Sequence, residues 1–321
     1  MRIVVAIGGN ALLRRGERPD ATVQVDHIRA AAQALAPLAL RHELIICHGN
    51  GPQVGMLSLE SENDPELTHP YPFDALVAQT QGMIGYWLAR SLRNAGVSKP
   101  VMSLVTQTLV DPSDPAFTTP AKFVGPGYPY EQARQLADRH GWTIAADGDR
   151  WRRVVASPAP QRIIEQESID RLLDHDSIVI CGGGGGIPVA EDGAGQLRGV
   201  EAVVDKDATA ALLAVAVKAD RLLILTDVPA VMERFGTPQA TPLRRLTLDT
   251  RETRHFPAGS MGPKIAACRH FVGTTGRPAA IGALDAAAAV LAGDAGTVVV
   301  PGGPSDAGTG VTAGTTAELA H

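Results

Sequence analysis

The chain has 321 residues, of which 45% are hydrophobic and 20% charged, and its net charge is −5. This length can bury a core without disulfide or metal support, and no basic run with interleaved aromatic residues indicates nucleic-acid binding. The three cysteines, Cys47, Cys181 and Cys268, are far apart and form no CxxC pair, which argues against a disulfide framework or a zinc site. No signal-peptide pattern or membrane-length apolar run is present, so we expect a soluble cytoplasmic protein that does not associate with membranes.

Short β-branched segments alternate with longer segments rich in alanine and leucine along most of the chain. The predicted strands cover residues 2–7, 43–47, 101–110, 177–181, 221–226, 278–282 and 297–300. The predicted helices include residues 25–41, 74–94 and 208–217. This alternation predicts an α/β domain with a mainly parallel sheet that is covered on both faces.

Residues 111–156 interrupt the alternation with many prolines, glycines and aromatic residues. They predict an inserted subdomain, built as a small hairpin with one helix near residues 131–140. A long insertion in a compact domain often serves as a lid over a binding site. Residues 1–300 then form one domain around this insertion, and residues 301–321, rich in glycine, threonine and alanine, are expected to be a flexible tail.

Glycine clusters follow three of the predicted strands, at residues 8–10, 48–52 and 182–186. Ligands of an open parallel sheet bind beyond the carboxyl ends of its strands, where glycine lets the backbone approach them closely. A following helix offers free N–H groups to an anion. Three such loops indicate a ligand with several phosphates or a phosphate passed between two sites, although each cluster alone is also compatible with a tight turn.

Two common nucleotide-binding patterns do not fit the chain. It contains no G-x-x-x-x-G-K-[ST] loop, and the run of five glycines at residues 182–186 leads into Ile187-Pro188 rather than into a helix. A dinucleotide-binding motif requires that helix, together with an acidic residue for the ribose. Both a P-loop and an NAD site are therefore disfavoured.

Three of the five lysines stand beside glycine or acidic motifs. Lys122 lies in the inserted subdomain, while Lys206 in V-D-K-D (204–207) and Lys264 in G-S-M-G-P-K (259–264) stand at predicted helix starts. Compact ammonium groups and helix N-termini stabilise the spread negative charge of a phosphoryl group in transfer. Asp207 could orient two lysines without acid–base chemistry. The alternative is that the lysines are solvated surface residues and that Asp205 or Asp207 only caps a helix.

In combination, these motifs resemble those of the carbamate kinases in the amino-acid kinase superfamily. The matching stretches are A-I-G-G-N-A-L (6–12), H-G-N-G-P-Q-V-G (48–55), A-Q-T-Q-G-M-I-G-Y (78–86), D-P-A-F (114–117), R-R-V-V (152–155), G-G-G-G-I-P-V (183–189), E-A-V-V-D-K-D (201–207) and G-S-M-G-P-K (259–264). The likeness runs in order from residue 3 to about residue 300. The asparagine of Gly-Gly-Asn and the lysine of the inserted subdomain are specific to carbamate kinases, since relatives often carry lysine in place of that asparagine.

The resemblance implies a three-layer α/β/α fold and reversible phosphoryl transfer between ATP and carbamate, with Mg²⁺ accompanying the nucleotide and no metal site of the protein's own. The residues implied to bind carbamate and the transferred phosphoryl group are Gly8, Gly9, Asn10, Gly49, Asn50 and Gly51. The residues implied to act in catalysis are Lys122, Lys206, Asp207 and Lys264. The residues implied to bind the nucleotide are Gly183, Gly184, Thr226, Asp227, Met232 and Lys264.

The same resemblance implies a role for each catalytic residue. Lys206 and Lys264 would face the phosphates and Asp207 would orient them, while Lys122 would swing in to replace the lysine missing beside Gly9. We expect neither Lys206 nor Lys264 to be packed in the core. Family members are usually homodimers, and the predicted helix at 74–94 carries more apolar surface than one core-facing stripe needs. We therefore expect a homodimer that uses this helix, although a helix buried on all sides within its own domain fits the pattern too.

Two stretches depart from the family pattern. A-K-F-V-G (121–125) stands where the family usually has T-K-P-I-G, and L-T-D-V-P-A-V-M (225–232) stands where it has L-T-G-V-D-x-V-Y. The second departure falls where the nucleotide base and ribose are expected. The lysine survives in the first stretch, and the second departure removes no phosphate-handling group.

Two alternative functions remain open. One is a superfamily kinase acting on a larger acid such as acetylglutamate, and the Gly-Gly-Asn start and Lys122 argue against it. The other is a non-catalytic nucleotide-binding regulator, which would not need all four implied catalytic residues. If the chain is a carbamate kinase, we expect net ATP formation, since the phosphoryl group of carbamoyl phosphate moves to ADP downhill. Such a reaction would have a catabolic role in arginine metabolism and release ammonia and carbon dioxide.

Overall fold

The computed structural model describes residues 1–9, 12–14, 16–248 and 261–302. The strands within these ranges, in chain order, are β1 (Arg2–Ile7), β2 (Glu43–His48), β3 (Val101–Ser103), β4 (Gln107–Val110), β5 (Lys122–Tyr128), β6 (Thr143–Asp147), β7 (Arg150–Val155), β8 (Pro160–Ile163), β9 (Ile178–Ile180), β10 (Ile187–Glu191), β11 (Leu197–Gly199), β12 (Arg221–Thr226), β13 (Met232–Glu233), β14 (Thr241–Pro242), β15 (Arg245–Thr247), β16 (Ala279–Ala283) and β17 (Thr297–Val300). The α-helices are α1 (Ala21–Arg41), α2 (Gly51–Asn63), α3 (Phe73–Asn94), α4 (Tyr130–His140), α5 (Gln166–Asp174), α6 (Lys206–Ala216), α7 (Met261–Thr275) and α8 (Ala287–Ala292).

Eight strands form the central sheet in the order β15-β17-β16-β12-β1-β2-β9-β3, and of its neighbouring pairs only β16 and β17 run antiparallel. β1 is buried in the middle, and its alternate residues point to opposite faces. Val4 and Ala6 join one hydrophobic cluster, whereas Ile3, Val5 and Ile7 join a second cluster on the other face. A strand buried on both faces reads as a continuous apolar run, which explains the sequence of β1.

Helices cover both faces of this sheet. The first cluster contains side chains of α5, α6 and α7, including Leu173, Leu213 and Phe271. The second contains side chains of α1, α3 and α8, such as Leu35 and Leu88. The predicted α/β class with a mostly parallel, doubly covered sheet is therefore confirmed. Among the described helices, none is long and apolar enough to cross a membrane.

The inserted subdomain consists of β5, α4, β6 and β7. Its strands form an antiparallel sheet in the order β5-β7-β6, and α4 packs against them. The predicted small hairpin is thus a three-stranded sheet, while the predicted helix is present. A separate four-stranded sheet, β11-β10-β4-β8, lies where the chain leaves and re-enters the main domain.

One predicted strand, residues 101–110, is wrong because the chain divides it between two sheets. β3 belongs to the central sheet and β4 to the four-stranded sheet. Between them, the Thr106 backbone N–H donates to the Gln81 side chain at 2.8 Å, and the Thr106 hydroxyl accepts from the Gly182 N–H at 2.8 Å. Side chains distant in sequence therefore end the strand. The predicted tail, residues 301–321, lies outside the described residues from residue 303 onward.

Candidate active site

The first two glycine loops meet at one edge of the central sheet. Because β1, β2, β9 and β12 are parallel, their carboxyl ends share this edge. Gly49 is so close to the first loop that a Cβ on it would lie 2.8 Å from the Gly9 nitrogen and 3.4 Å from the Lys206 Cδ. The predicted residues Gly9, Gly49 and Lys206 are thus in contact. Asn10, which was predicted to bind substrate, lies outside the described residues.

The third glycine cluster is buried beneath the second loop. Gly184 has a φ of +64°, and a Cβ on it would lie 2.2 Å from the Asn50 Nδ2 atom. A Cβ on Gly183 would lie 2.4 Å from the His48 Nε2 atom. These glycines therefore allow the β9 loop to pack under residues 48–50. The Asn50 amide itself donates to the Thr80 hydroxyl at 2.9 Å, so its side chain is anchored in the core.

Lys206 and Lys264 share one buried carboxylate. The Lys206 Nζ lies 2.6 Å from Asp207 Oδ1, and the Lys264 Nζ lies 3.0 Å from Asp207 Oδ2. Burial would raise the pKa of Asp207, but the two ammonium charges outweigh burial and hold that pKa below its usual value. Lys206 is only 8% exposed, so the prediction that neither lysine is packed in the core is wrong for Lys206. A buried carboxylate makes this burial tolerable.

Lys122 reaches the same region from the inserted subdomain. Its Nζ lies 2.7 Å from Asp205 Oδ2, while Asp205 Oδ1 accepts from the backbone N–H groups of Asp207 and Ala208. Asp205 therefore caps α6, as one of the sequence alternatives held, and also pairs with Lys122. Burial would raise its pKa, but Lys122 and Lys206 hold it well below the ordinary aspartate value. The three predicted lysines thus gather around two adjacent carboxylates.

The residues predicted to bind the nucleotide divide into two groups. Thr226 ends β12 beside the first loop, and its hydroxyl donates to Asp227 Oδ1 at 3.0 Å. Met232 lies on β13 and is partly buried. Gly183 and Gly184 follow β9, which is separated from β12 by β1 and β2. The structure therefore brings Thr226 and Asp227 to the Gly8 side of the edge and the two glycines to the Asn50 side.

A cleft of about 620 Å³ lies between the inserted subdomain and helices α6 and α7. Lys122 and Asp205 line it, and much of the remaining wall is formed by apolar residues such as Ala208, Leu212 and Ala266. Since Lys122 also belongs to the lysine cluster, the cleft reaches that cluster. Movement of the subdomain would change access to this side of the site.

Known proteins resemble this chain over most of its length. A model of the Amino acid kinase family matches residues 1–283. The carbamate kinase of Rhizobium meliloti is 48% identical over 303 residues, which cover 93% of each chain, and that of Escherichia coli K12 is 49% identical over 297 residues, covering 92% of this chain and 98% of its relative. The chain belongs to the carbamate kinases of the amino acid kinase family.

Solved carbamate kinases have the same fold. The Giardia lamblia carbamate kinase bound to AMP-PNP is 35% identical, with a TM-score of 0.83 and coverage of 94% of this chain and 98% of that one. The Giardia lamblia carbamate kinase bound to citric acid gives a TM-score of 0.87 at the same identity and coverage. As a member of this family, the chain is a phosphotransferase.

Several residues that support the site of this carbamate kinase were not among the predicted site residues. Gln81 donates to the carbonyls of Thr106 and Gly183, and Thr80 holds Asn50. Their helix, α3, was predicted, but its polar residues were not recognised as partners of the glycine loops. The signal was present as two polar residues, Thr80 and Gln81, in the middle of a predicted helix that is apolar at positions 76, 77, 83 and 84. His48 was quoted only as part of a motif.

Proposed function

We propose that this protein transfers a phosphoryl group reversibly between ATP and carbamate, and that Lys122, Lys206 and Lys264 stabilise the group in transfer. The observation that carries the proposal is the buried carboxylate of Asp207, which holds the ammonium groups of Lys206 and Lys264 beside Gly9 and Gly49. Phosphoryl transfer depends mainly on positioning and charge stabilisation. Kinship with curated carbamate kinases supports the choice of carbamate.

The site suits an acceptor that is already an anion. Carbamate attacks through a charged oxygen, so no general base has to remove a proton from it. Asp207 cannot serve readily as a base, because two lysines bind its oxygens and keep its pKa low. Its role is to hold Lys206 and Lys264 at fixed positions. Preorganised charges of this kind stabilise charge that develops in the transition state without reorganising.

Backbone N–H groups of the first two loops that have no acceptor among the described residues, such as that of Asn50, supply the remaining charge stabilisation. Gly8 and Gly9 follow β1, and Gly49 and Asn50 lead into α2, which begins at Gly51. A helix N-terminus after a glycine loop favours an anion, since its first N–H groups have no partner within the helix. We propose that these loops bind carbamate and the transferred phosphoryl group, with Asn10 joining them.

The nucleotide is proposed to bind on the β12 side, at Thr226, Asp227, Met232 and Lys264. The AMP-PNP complex of the Giardia lamblia enzyme supports ATP as the donor. The nucleotide-binding roles of Gly183 and Gly184 stay predictions. Both glycines are buried beneath His48 and Asn50, so we expect them to contribute indirectly, by packing under the second loop.

Mg²⁺ is proposed to accompany the nucleotide. The described residues contain no group of three or more metal-binding side chains. Mg²⁺ in kinases is usually held by one or two carboxylates together with substrate phosphates and water, so this donor set fits. We assign Asp227 to the metal, directly or through water, because it follows Thr226 on the β12 side proposed for the nucleotide. The ion would neutralise phosphate charge.

The inserted subdomain is proposed to close over the site and deliver Lys122. Catalytic groups carried by a mobile subdomain assemble when ligand is bound. The cleft beneath the subdomain and the ion pair from Lys122 to Asp205 support this proposal. We also propose a cytoplasmic location, which is supported by three cysteines that are all free and buried.

A homodimer formed through α3 remains a proposal. Tyr86 on this helix is 56% exposed, and Met83 and Trp87 are only partly buried. An apolar surface left beside the core-facing stripe often marks an interface. Light scattering at micromolar concentration should give twice the mass of the chain, and a monomer would rule the dimer out.

The central test is ATP formation from ADP and carbamoyl phosphate in the presence of Mg²⁺. We expect this reaction, and we expect it to exceed carbamoyl phosphate synthesis at matched, near-physiological ligand levels, because the anhydride transfers its phosphoryl group downhill. That direction implies a catabolic role in arginine metabolism. Phosphorylation of acetylglutamate in preference to carbamate would favour the larger-acid alternative. Nucleotide binding without turnover in either direction would favour a regulator.

A further inference from the structure

His48 is a buried imidazole directly beneath the second glycine loop. It ends β2, is 1% exposed, and its Nδ1 atom lies 3.0 Å from the carbonyl oxygen of Gly49. The other side of the ring faces Gly183, where a Cβ would lie 2.4 Å from Nε2. The ring therefore fills the space between the loops that follow β2 and β9. It contacts neither lysines nor carboxylates in any hydrogen bond or ion pair among the described residues.

The protonation of this ring follows from its surroundings. Burial lowers the pKa of His48 to about 4, although the bond to Gly49 opposes the shift. The ring is thus neutral near pH 7 and carries one N–H. A carbonyl oxygen only accepts, so the nitrogen that faces it must be the donor. The Nδ1 atom therefore holds the proton, and Nε2 is an acceptor.

This bond fixes the peptide between Gly49 and Asn50. A trans peptide is planar, so its C=O and N–H point in opposite directions. When the Gly49 carbonyl points down at the ring, the Asn50 N–H points away from it, towards the open edge of the sheet. The sheet cannot impose this orientation because β2 ends at His48, and glycine permits other backbone conformations at low cost.

The neighbouring backbone bonds agree with that orientation. The Gly49 N–H donates to the Ile7 carbonyl at 3.0 Å, and the Asn50 carbonyl accepts from the Val54 N–H at 2.8 Å within the first turn of α2. The Asn50 N–H has no acceptor among the described residues. Gly49 lies where the first two glycine loops and Lys206 meet, so the donor that follows it is available close to that point.

We propose that His48 is a positioning residue, which holds the Gly49–Asn50 peptide so that the Asn50 N–H donates to the phosphoryl group in transfer. The inference rests on the proposed function, since it names what orients one donor of that same site. His48 itself touches neither substrate nor nucleotide. It acts on the transition state through the peptide, as a support for a charge-stabilising donor.

Three substitutions separate this role from simple packing. In His48→Asn the amide nitrogen occupies a position close to that of Nδ1, so the bond to the Gly49 carbonyl can be kept. In His48→Gln the amide nitrogen falls near Nε2 instead, and His48→Leu has no donor. We expect kcat for ATP formation to fall about 10- to 100-fold in the Gln and Leu variants, while the KM for ADP changes less than about threefold.

The Asn variant should recover most of that loss, to within about fivefold of the wild type. The melting temperature of each variant serves as the control for folding. If kcat follows melting temperature, or if Gln retains activity as well as Asn, the positioning role is overturned. A wild-type enzyme that forms no ATP from carbamoyl phosphate would overturn the proposed function instead.

The tautomer can be measured on the unmodified protein. Ring nitrogen chemical shifts of His48, assigned through bonds by NMR, should show a proton on Nδ1 and no titration between pH 5 and pH 8. This result would stand whether or not any variant folds. A neutral ring with its proton on Nε2 would lack the bond on which the orientation of the peptide depends, and the proposal would be overturned.

Discussion

The edge of the central sheet and the inserted subdomain contribute to the same site in different ways. Lys206 and Lys264 come from helices of the main domain, share Asp207, and lie above a continuous hydrophobic cluster. Lys122 comes from β5 of the subdomain and has Asp205 as its ion-pair partner. The two lysines of the main domain therefore stand at packed helix starts, whereas the lysine that we propose to arrive with the ligand is carried by an insertion.

The attachments of the two regions differ as well. The main domain is held by parallel strand pairing and two large hydrophobic clusters. The subdomain meets α2 through a backbone contact between Gly55 and Gly125, and through Glu62, which binds the Arg153 guanidinium at 2.7 Å and the Trp142 indole N–H at 3.0 Å. The subdomain also packs Val124 and Val155 into a small hydrophobic cluster with residues of α2 and α3. A region held by a smaller set of buried contacts opens locally at lower cost than a core. We therefore expect substitutions in the core and substitutions in the subdomain to affect different measurements.

The largest effect is expected from the lysines of the main domain. Lys206→Ala and Lys264→Ala should each lower kcat about 10²-fold or more, since each removes a charge that stabilises the transition state. Lys218→Asn is the matched control, because Lys218 is an exposed residue beyond the other end of α6 and its positive φ suits asparagine. Its kcat should be unchanged. Either lysine variant with near-normal kcat would lose its catalytic assignment.

Burial adds a second consequence for Lys206. Removing Lys206 takes a charge-assisted hydrogen bond from Asp207 Oδ1 and leaves Lys264 as the partner of that carboxylate, so Lys206→Ala should also lower the free energy of unfolding by about 2 kcal/mol. Lys206→Met keeps most of the aliphatic stem and removes the same charge. Both variants should lose kcat equally when assayed well below their melting temperatures. Unequal losses would mean that packing, rather than charge, accounts for part of the effect.

An intermediate effect is expected where the subdomain meets α2. A Cβ on Gly55 would lie 2.2 Å from the Cα and nitrogen of Gly125, so Gly55→Ala must push β5 away from α2. We expect kcat to fall about 10-fold because Lys122 is displaced, with little change in the stability of the main domain. Gly82→Ala, in open space on α3, is the control and should stabilise its helix by up to about 1 kcal/mol.

Amine labelling reports directly on the same contact. In the wild type, Lys122 should become protected when ADP and carbamoyl phosphate are both bound, because closure buries it. Gly55→Ala should reduce that protection. Labelling of Lys122 that is equal with and without ligands in the wild type would count against closure of the subdomain.

The sequence predicted the edge of the sheet better than the contacts beneath it. The strands at residues 2–7, 221–226 and 297–300 have the predicted bounds, since each is a short apolar run with β-branched residues. Glycine loops and lysines were recognised because strand ends and helix starts are local patterns. The break after β3 was not, because the Gln81 side chain that replaces strand pairing at Thr106 is distant in sequence.

Burial of functional groups was equally hard to predict. Lysine is usually a surface residue. Lys206 is nevertheless buried, because Asp207 lies beside it and Lys264, on another helix, binds the same carboxylate. Gly183 and Gly184 resemble a ligand loop in sequence, yet they face His48 and Asn50. Both outcomes depend on which loops lie side by side, and the order of the strands in the sheet determines this. Local sequence patterns do not contain that order.

The smallest effect is expected from Asp205, which joins the two regions. Asp205→Asn keeps the helix cap, since asparagine caps as well as aspartate, but removes the charge that pairs with Lys122. Lys122 and Lys206 hold the folded-state pKa of Asp205 below its unfolded value, so its stabilisation is present above pH 4 and is lost as pH falls towards the folded pKa. The variant should therefore be less stable than wild type by about 2 kcal/mol at pH 7, and the difference should shrink between pH 5 and pH 3.

Urea unfolding between pH 7 and pH 3 measures this difference in stability. The control is Asp26→Asn, since Asp26 is an exposed partner of Arg29, and it is expected to shift stability by less than about 0.5 kcal/mol. A difference that stays constant with pH would mean that the Lys122–Asp205 pair contributes no charge-dependent stability, and that other contacts hold the subdomain to the core.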